Sequence, residues 1–258
     1  MAYHEHLGTK IGKLVRNPRK QYKNIVPFLK SVVAPHKRRL YEAFGNESLS
    51  QPYPSHERLL KHFNQTNGFF VECGGNDGHF QDPTYYLEKF RKWSGVIVEA
   101  LPIARKCAKN RGRSIVYETA LVPFGSKESS VSFIDVNAMS FIKGSIEKPQ
   151  DWIHGGETSQ KISMREIIVP AKPLQEVLDD YFSHHEKRDI DLLAIDVEGS
   201  ELSVLQGLDF KKIHPLRFSQ KRIPTSVSKL SLHSLPRAAT SSLKRSSIAI
   251  FCSEGSSK

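Results

Sequence analysis

The sequence predicts an α/β protein in which a mostly parallel sheet is covered by helices on both faces. Short β-leaning apolar runs alternate along the chain with stretches whose apolar residues recur at helical spacing. Most of these runs are apolar nearly throughout, which is typical of parallel strands buried on both sides. A chain of 258 residues is long enough for one sizeable hydrophobic core.

The first half of the pattern starts with a strand, FFVEC, and a glycine-rich turn, GGNDGHF. A helix is predicted over residues 84–93, and a second strand over residues 95–100. The next helix is bounded by Pro102 at its start and Gly112 at its end. Two further strands are expected, a continuous one over residues 114–122 and one in SSVSFIDV that belongs to a hairpin or an inserted edge.

The second half opens with a polar, irregular stretch, residues 137–166, which we expect to be a loop covering the acceptor site. A strand, EIIVPAK, and an amphipathic helix, PLQEVLDDYFSHH, follow it. The run DLLAID then repeats the pattern of the first strand, in which an apolar run ends in an acid. The final helix of the pattern is predicted to begin near Ser200, a residue type that favours helix caps.

The charge distribution predicts three segments: a basic extension over 1–58, a core over 59–210 and a divergent tail over 211–258. The net charge of +11 is divided into about +7 for residues 1–50, −4 for residues 51–208 and +8 for residues 209–258. A basic, proline-interrupted extension is compatible either with peripheral contact to an anionic membrane or with a solvated segment packed on the core.

The N-terminal residues lack the apolar core of a secretory signal, so we expect a cytoplasmic, reducing setting. The three cysteines show no CxxC spacing, which indicates neither a disulfide framework nor a zinc site. The pairs His184–His185 and Asp179–Asp180 lie together near a predicted helix end, where histidines are common. We therefore predict no metal.

The glycine turn after the first strand is the first candidate for a binding site. Gly74, Gly75 and Gly78 permit positive φ angles and a close approach of a ligand to the main chain. A turn at the carboxyl end of a parallel strand lies where open α/β sheets bind ligands. Asn76 interrupts the dinucleotide fingerprint GxGxxG, so the turn alone is only weak evidence for a nucleotide-like cofactor.

Two acids at strand ends make the hypothesis of a nucleotide-like cofactor more specific. Glu99 follows Glu72 by 27 positions and ends the next strand, where a carboxylate accepts hydrogen bonds from ribose hydroxyls. Glu72 is poorly suited to a pyrophosphate and better suited to the amino group of a methionyl tail. Together the acids and the turn favour S-adenosylmethionine over NAD. The alternative is that both acids are merely solvent-facing strand ends.

Three stretches, VECGGNDG, GVIVEALP and DLLAIDVEGSELSVLQGL, together resemble the FkbM-type methyltransferase family. The resemblance covers about residues 68–210 and implies a Rossmann-like class I methyltransferase fold that uses S-adenosylmethionine, usually to methylate hydroxyl oxygens. Residues after Phe210 do not resemble the family's remaining strands. The sheet is therefore expected to be divergent or incomplete at its C-terminal end.

The resemblance also implies roles for individual residues. The cofactor-binding set consists of the glycine loop and its preceding acid, namely Glu72, Gly74, Gly75, Asn76 and Gly78. It also includes Glu99 for the ribose, Thr119 and Ala120 along the adenine, and Asp196 beside the transferring methyl group. Glu198 matches the second acid beside the methyl group. For a general base, Asp196 is the first candidate, followed by His79 and Glu198.

The acceptor is expected to be a small hydroxylated molecule or a glycan. The acidic balance of the central segment argues against a nucleic acid. Two other functions stay open: a catalytically silent binding protein that retains the methyltransferase half-sheet, and an NAD-dependent oxidoreductase, which the missing GxGxxG disfavours.

Overall fold

The structure, a computed structural model, describes residue 42 and residues 63–79, 82, 84–210 and 212. The chain divides into two units, Met1–Phe63 and Asn64–Lys258, and the described residues other than 42 and 63 belong to the second. The predicted boundary between 58 and 59, the basic extension apart from Glu42, and the tail after 210 apart from Lys212 lie outside the described residues. None of the described helices is long and apolar enough to cross a membrane.

The described residues form eight strands, five α-helices and a 3₁₀ turn. In chain order they are β1 Phe69–Cys73, α1 Tyr85–Arg91, β2 Ser94–Glu99, α2 Ala104–Asn110, β3 Ser114–Glu118, β4 Ala120–Leu121, β5 Ser130–Asp135, the 3₁₀ turn Asn137–Met139, β6 Phe141–Ile142, α3 Pro149–Gln160, β7 Arg165–Lys172, α4 Leu174–His184, β8 Leu192–Ile195 and α5 Glu201–Gln206.

The first sheet is parallel throughout, with the order β3-β2-β1-β8. One face packs against α4 and α5, in a core that includes Val71, Val177 and Val204. The other face carries Phe70 and Glu72, and the Arg111 guanidinium lies 5.3 Å from the Phe70 ring centroid. The predicted Rossmann-like α/β fold with a helix-flanked parallel sheet is confirmed.

The second sheet, with the order β4-β7-β5-β6, contains antiparallel pairs that connect β5 to both β6 and β7. The hairpin expected for SSVSFIDV is therefore present. The single strand expected over residues 114–122 is wrong, because the chain leaves the first sheet at Thr119. Its N–H donates to Glu99 O (3.1 Å), and Ala120 then pairs with Ala171 of β7.

The prediction of an irregular loop over residues 137–166 is also wrong, because this segment contains the 3₁₀ turn, β6 and α3. Helix α3 has no strong apolar face for a periodicity search to detect. It approaches its neighbour through glycines: a Cβ on Gly156 would lie 2.7 Å from Val136 Cβ, and one on Gly155 3.3 Å from Met139 Cε. Close backbone packing of this kind leaves no apolar signature in the sequence.

Helix α5 begins close to the predicted position, but Ser200 does not cap it through its side chain. The neighbouring Glu201 carboxylate instead accepts the Gly199 N–H at 3.1 Å. The Ser200 hydroxyl is buried, and within the described part of the chain it has no hydrogen-bond partner.

Candidate active site

The strand order reverses between β1 and β8, and open α/β sheets bind ligands outside the carboxyl ends of the strands at such a switch point. The Asp196 N–H donates to Cys73 O at 2.8 Å, which holds the end of β8 beside the turn that leaves β1. Gly74 is required there: its φ is +92°, and a Cβ would lie 1.9 Å from Asp196 O. The glycine turn and Asp196 are therefore neighbours, as the sequence predicts.

Most main-chain N–H groups of the glycine loop, residues 74–79, are hydrogen-bonded to acceptors of the protein itself. Five of its N–H groups have acceptors within the protein: Gly74 and Gly75 donate to Val98 O (2.8 and 3.3 Å), Asn76 to Glu99 Oε2 (2.7 Å), Gly78 to Gly75 O (2.8 Å) and His79 to Asp77 Oδ1 (3.0 Å). An anion-binding nest needs N–H groups that point at the ligand. This loop therefore differs from a phosphate cradle.

Helix α2 packs against the same loop and holds it through side-chain contacts. Lys106 Nζ lies 2.9 Å from Asp77 Oδ2, and Asn110 Nδ2 donates to Asp77 O at 2.7 Å. A Cβ on Gly78 would lie only 2.7 Å from Cys107 Sγ, so this glycine lets the loop approach the helix closely. The loop is thereby fixed by side chains that are 29 to 33 residues away in the chain.

Glu99 ends β2 as a buried carboxylate that anchors the loop. Its Oε2 accepts the Asn76 N–H at 2.7 Å, and its Oε1 accepts the Leu101 N–H at 2.9 Å. Burial raises the pKa of Glu99, the bonds from Leu101 and Asn76 lower it, and the nearby Asp135 raises it further. The carboxylate also accepts the Ala100 N–H, so one of its about four acceptor positions remains for a ligand hydroxyl.

Glu72 lies in a buried network on the α1 and α2 side of the sheet. Its Oε2 accepts the Thr84 hydroxyl at 2.7 Å and lies 3.8 Å from Arg111 Nη1. Burial raises the pKa of Glu72 well above its usual range, and Asp82 adds to this, whereas Arg111 and the Thr84 bond oppose it. Its assignment to a methionyl amino group stays a prediction.

The centre of this network is Arg111, which the sequence analysis missed. Its guanidinium donates to Asp82 (2.7 Å), to Glu88 (2.9 Å) and to the Thr84 hydroxyl. Its side chain is fully buried, so three carboxylates surround one buried cation. The only sequence signal was an arginine between a predicted helix and its terminating glycine, a position usually exposed.

Glu198 occupies a strained turn beside Asp196. Its φ is +47° and that of Gly199 is +87°, so two successive residues adopt left-handed conformations. Burial raises the pKa of Glu198 to about 8, with further contributions from Asp196 and Glu201. Asp196 itself is exposed, so of these two acids Glu198 has the more perturbed environment.

The other predicted site residues are His79, Thr119 and Ala120, and all three are buried. His79 is buried, and its ring meets the Tyr85 ring edge-on at 4.7 Å. Thr119 and Ala120 are buried next to Glu99, and the Thr119 hydroxyl donates to Pro170 O at 3.1 Å. Across the described residues, no group of three or more His, Cys, Asp or Glu is arranged to hold a metal ion.

The parallel sheet and its strand order define a Rossmann-like α/β fold with a ligand-binding switch point. Residues 72–223 match the family described as the methyltransferase FkbM domain. This match covers more than half of the chain, and the protein belongs to the FkbM methyltransferase family. Comparison with curated proteins and with solved structures gave no match.

Proposed function

We propose that this protein transfers a methyl group from S-adenosylmethionine to a hydroxyl oxygen of a small molecule or a sugar. The observation that supports this most directly is the buried Glu99 carboxylate at the end of β2, beside a glycine loop whose N–H groups are already bonded. Such a site suits a ribose diol without a pyrophosphate. Membership of a methyltransferase family agrees with a sulfonium methyl donor.

The residues present fit this cofactor. Glu99 retains one acceptor position for a ribose hydroxyl, and Thr119 and Ala120 lie next to it for the adenine. Gly74 and its loop would flank the methionyl part, with Glu72 and Asp196 as the nearby acids. When bound, the cofactor supplies a methyl group on a positively charged sulfur, which nearby carboxylates stabilise.

Glu198 is the residue best placed to act as general base. A base works best when its pKa lies near the operating pH, and burial raises the pKa of Glu198 to about 8. The Glu198 carboxylate would take the proton of the acceptor hydroxyl as that oxygen bonds to the methyl carbon, while the bond from this carbon to the cofactor sulfur breaks and S-adenosylhomocysteine leaves. We place Asp196 beside it as an electrostatic partner, and His79 on the α1 side of the loop.

The acceptor in this proposal is neutral. Asp196 and Glu201 place negative charge beside Glu198 near the end of β8, which disfavours phosphorylated acceptors and nucleic acids. The helix α3 and the segment before it belong to the acceptor side, since Ile146 packs against Gly199.

The direct test is isothermal titration of the full chain with S-adenosylmethionine and S-adenosylhomocysteine, and with NADH as the control. We expect micromolar binding of both sulfur nucleosides and no binding of NADH. A folded chain that binds none of them contradicts the proposed cofactor and leaves the catalytically silent interpretation. Tight NADH binding with no sulfur nucleoside bound supports the oxidoreductase alternative.

A further inference from the structure

Two buried hydroxyls flank the Glu198 turn without hydrogen-bond partners. They belong to Ser145 and Ser200, and neither has a partner within the residues that the structure describes. Ser200 is only 4% exposed. Leaving a buried hydroxyl unpaired is energetically unfavourable, so such a group in a native structure requires an explanation.

The two serines come from different segments that meet at Gly199. A Cβ on Gly199 would lie 3.1 Å from Ile146 Cγ1 and 3.6 Å from Ser145 O, so the segment after β6 covers the turn after β8. Gly144, directly before Ser145, has a φ of +90° and open space around it. The covering segment therefore starts at a residue that tolerates backbone rotation.

The groups around this contact favour one class of ligand. Two neutral hydroxyls can each donate and accept, and the half-buried Glu198 carboxyl of the adjoining turn adds a third polar group. The acids Asp196 and Glu201 disfavour an anion. Burial favours the neutral form of the Glu198 carboxyl, which weakens the attraction for a cation.

We propose that Ser145 and Ser200 bind the methyl acceptor, and that the acceptor is a neutral polyol whose hydroxyls supply the missing partners. In this arrangement the segment around Ser145 moves to admit the acceptor beside Glu198. This inference rests on the proposed function, because it places the acceptor at the same site. The two serines are then specificity-determining residues: they select a molecule with several hydroxyls over one with a single hydroxyl.

Binding is tested with the full chain saturated with S-adenosylhomocysteine. The neutral probes are glycerol, myo-inositol and methyl α-D-glucopyranoside, and the charged counterparts of glycerol are 3-amino-1,2-propanediol and glycerol 3-phosphate. We expect at least one neutral polyol to bind, more tightly than either charged probe. Ser145→Ala and Ser200→Ala should each weaken that binding about 3- to 10-fold and leave the affinity for S-adenosylhomocysteine unchanged.

Thermal unfolding without ligand separates this role from a structural one. Removing an unpartnered hydroxyl should leave the melting temperature of Ser200→Ala unchanged or higher. The matched control is Ser114→Ala, which deletes a buried hydroxyl that donates to Glu88 at the opposite end of the sheet. That control should lower the melting temperature and leave polyol binding unchanged.

The inference is overturned if no neutral polyol binds, if a charged counterpart binds more tightly, or if both serine variants bind the polyol as the wild type does. A melting temperature of Ser200→Ala that falls as far as that of Ser114→Ala also overturns it. Failure to bind S-adenosylhomocysteine refutes the proposed function instead. A chain that binds this nucleoside but no polyol refutes only the acceptor site.

Discussion

The glycine loop with Glu99 and Arg111 differs from the Glu198–Ser200 turn in how completely its polar groups are paired. In the first region, loop N–H groups, the Glu99 carboxylate and the Arg111 guanidinium bond to one another or to neighbours within 3.5 Å. In the second, Ser200 is buried without a partner in the described part of the chain, and Glu198 has a positive φ.

The difference in hydrogen-bond pairing matches two different requirements of a binding site. A region whose main-chain N–H groups are mostly bonded before ligand binding is preorganised, so a ligand binds to an existing shape. A region with unpaired buried polar groups retains interactions that a ligand can complete. Under the proposed function, the β1–β2 side positions the cofactor, and the β8 side recognises the acceptor and takes its proton.

The largest expected effect comes from deleting the centre of the paired region. Arg111→Ala leaves three buried carboxylates without their cation and should lower the free energy of unfolding by about 3–5 kcal/mol. Urea denaturation measures this. Arg105→Ala removes another arginine from the α2 region, but its salt bridge to Glu118 is exposed and should contribute less than about 1 kcal/mol. Equal losses in both variants contradict the preorganised network.

The junction between the two regions is the next target. Gly74→Ala places a Cβ 1.9 Å from Asp196 O at a φ of +92°, and we expect it to destabilise the fold by about 2–4 kcal/mol. Gly112→Ala is the control, because a Cβ there meets no atom within 4 Å and should change stability by less than about 0.5 kcal/mol. Thermal unfolding of both variants provides the comparison, and a stable Gly74→Ala protein argues against the close contact with β8.

The cofactor assignment is tested by Glu99→Gln. Loss of the charged acceptor should weaken S-adenosylhomocysteine binding by about 1.5–3 kcal/mol, which is roughly 10- to 150-fold. The control is Glu118→Gln, which alters the acid paired in register with Glu99 at the end of β3. Calorimetry should show no change for this exposed residue, and an unchanged affinity in folded Glu99→Gln removes the ribose assignment.

The smallest effect is a pH dependence on the β8 side. Burial raises the pKa of Glu198 from about 4.5 to about 8, so the folded state favours the protonated carboxyl. The protonated Glu198 carboxyl contributes its full share to the free energy of unfolding below about pH 4.5, and this contribution is lost as the pH rises to about 8. Wild type should therefore lose about 1–2 kcal/mol relative to Glu198→Gln across this range, allowing for solvent screening. Denaturant titrations of both proteins at several pH values measure the difference, and parallel profiles contradict it.

Much of the fold was predictable from local pattern. The helix expected over residues 173–185 is observed as α4, with Leu174, Val177, Leu178 and Tyr181 buried. Apolar runs ending in an acid became β1 with Glu72 near its end and β2 ending at Glu99. These features follow from periodicity and strand-end position, which depend on neighbours a few residues apart.

Other features were not predictable, because they depend on approaches between distant segments. The passage of the chain from one sheet to the other at Thr119 depends on pairing between Ala120 and Ala171. Helix α3 packs through Gly156 against Val136, a contact without an apolar pattern. Periodicity detects a hydrophobic face and carries no information about where two backbones meet.

The sequence by itself determined the alternation of strands and helices, the glycine turn and the positions of the strand-end acids, because each of these depends on local chemistry. Only the tertiary structure decided what those acids contact. It placed Glu72 beside Arg111, 39 positions away, and it left Ser200 buried without capping α5. Burial and charge pairing depend on which segments pack together, and that is a property of the whole fold.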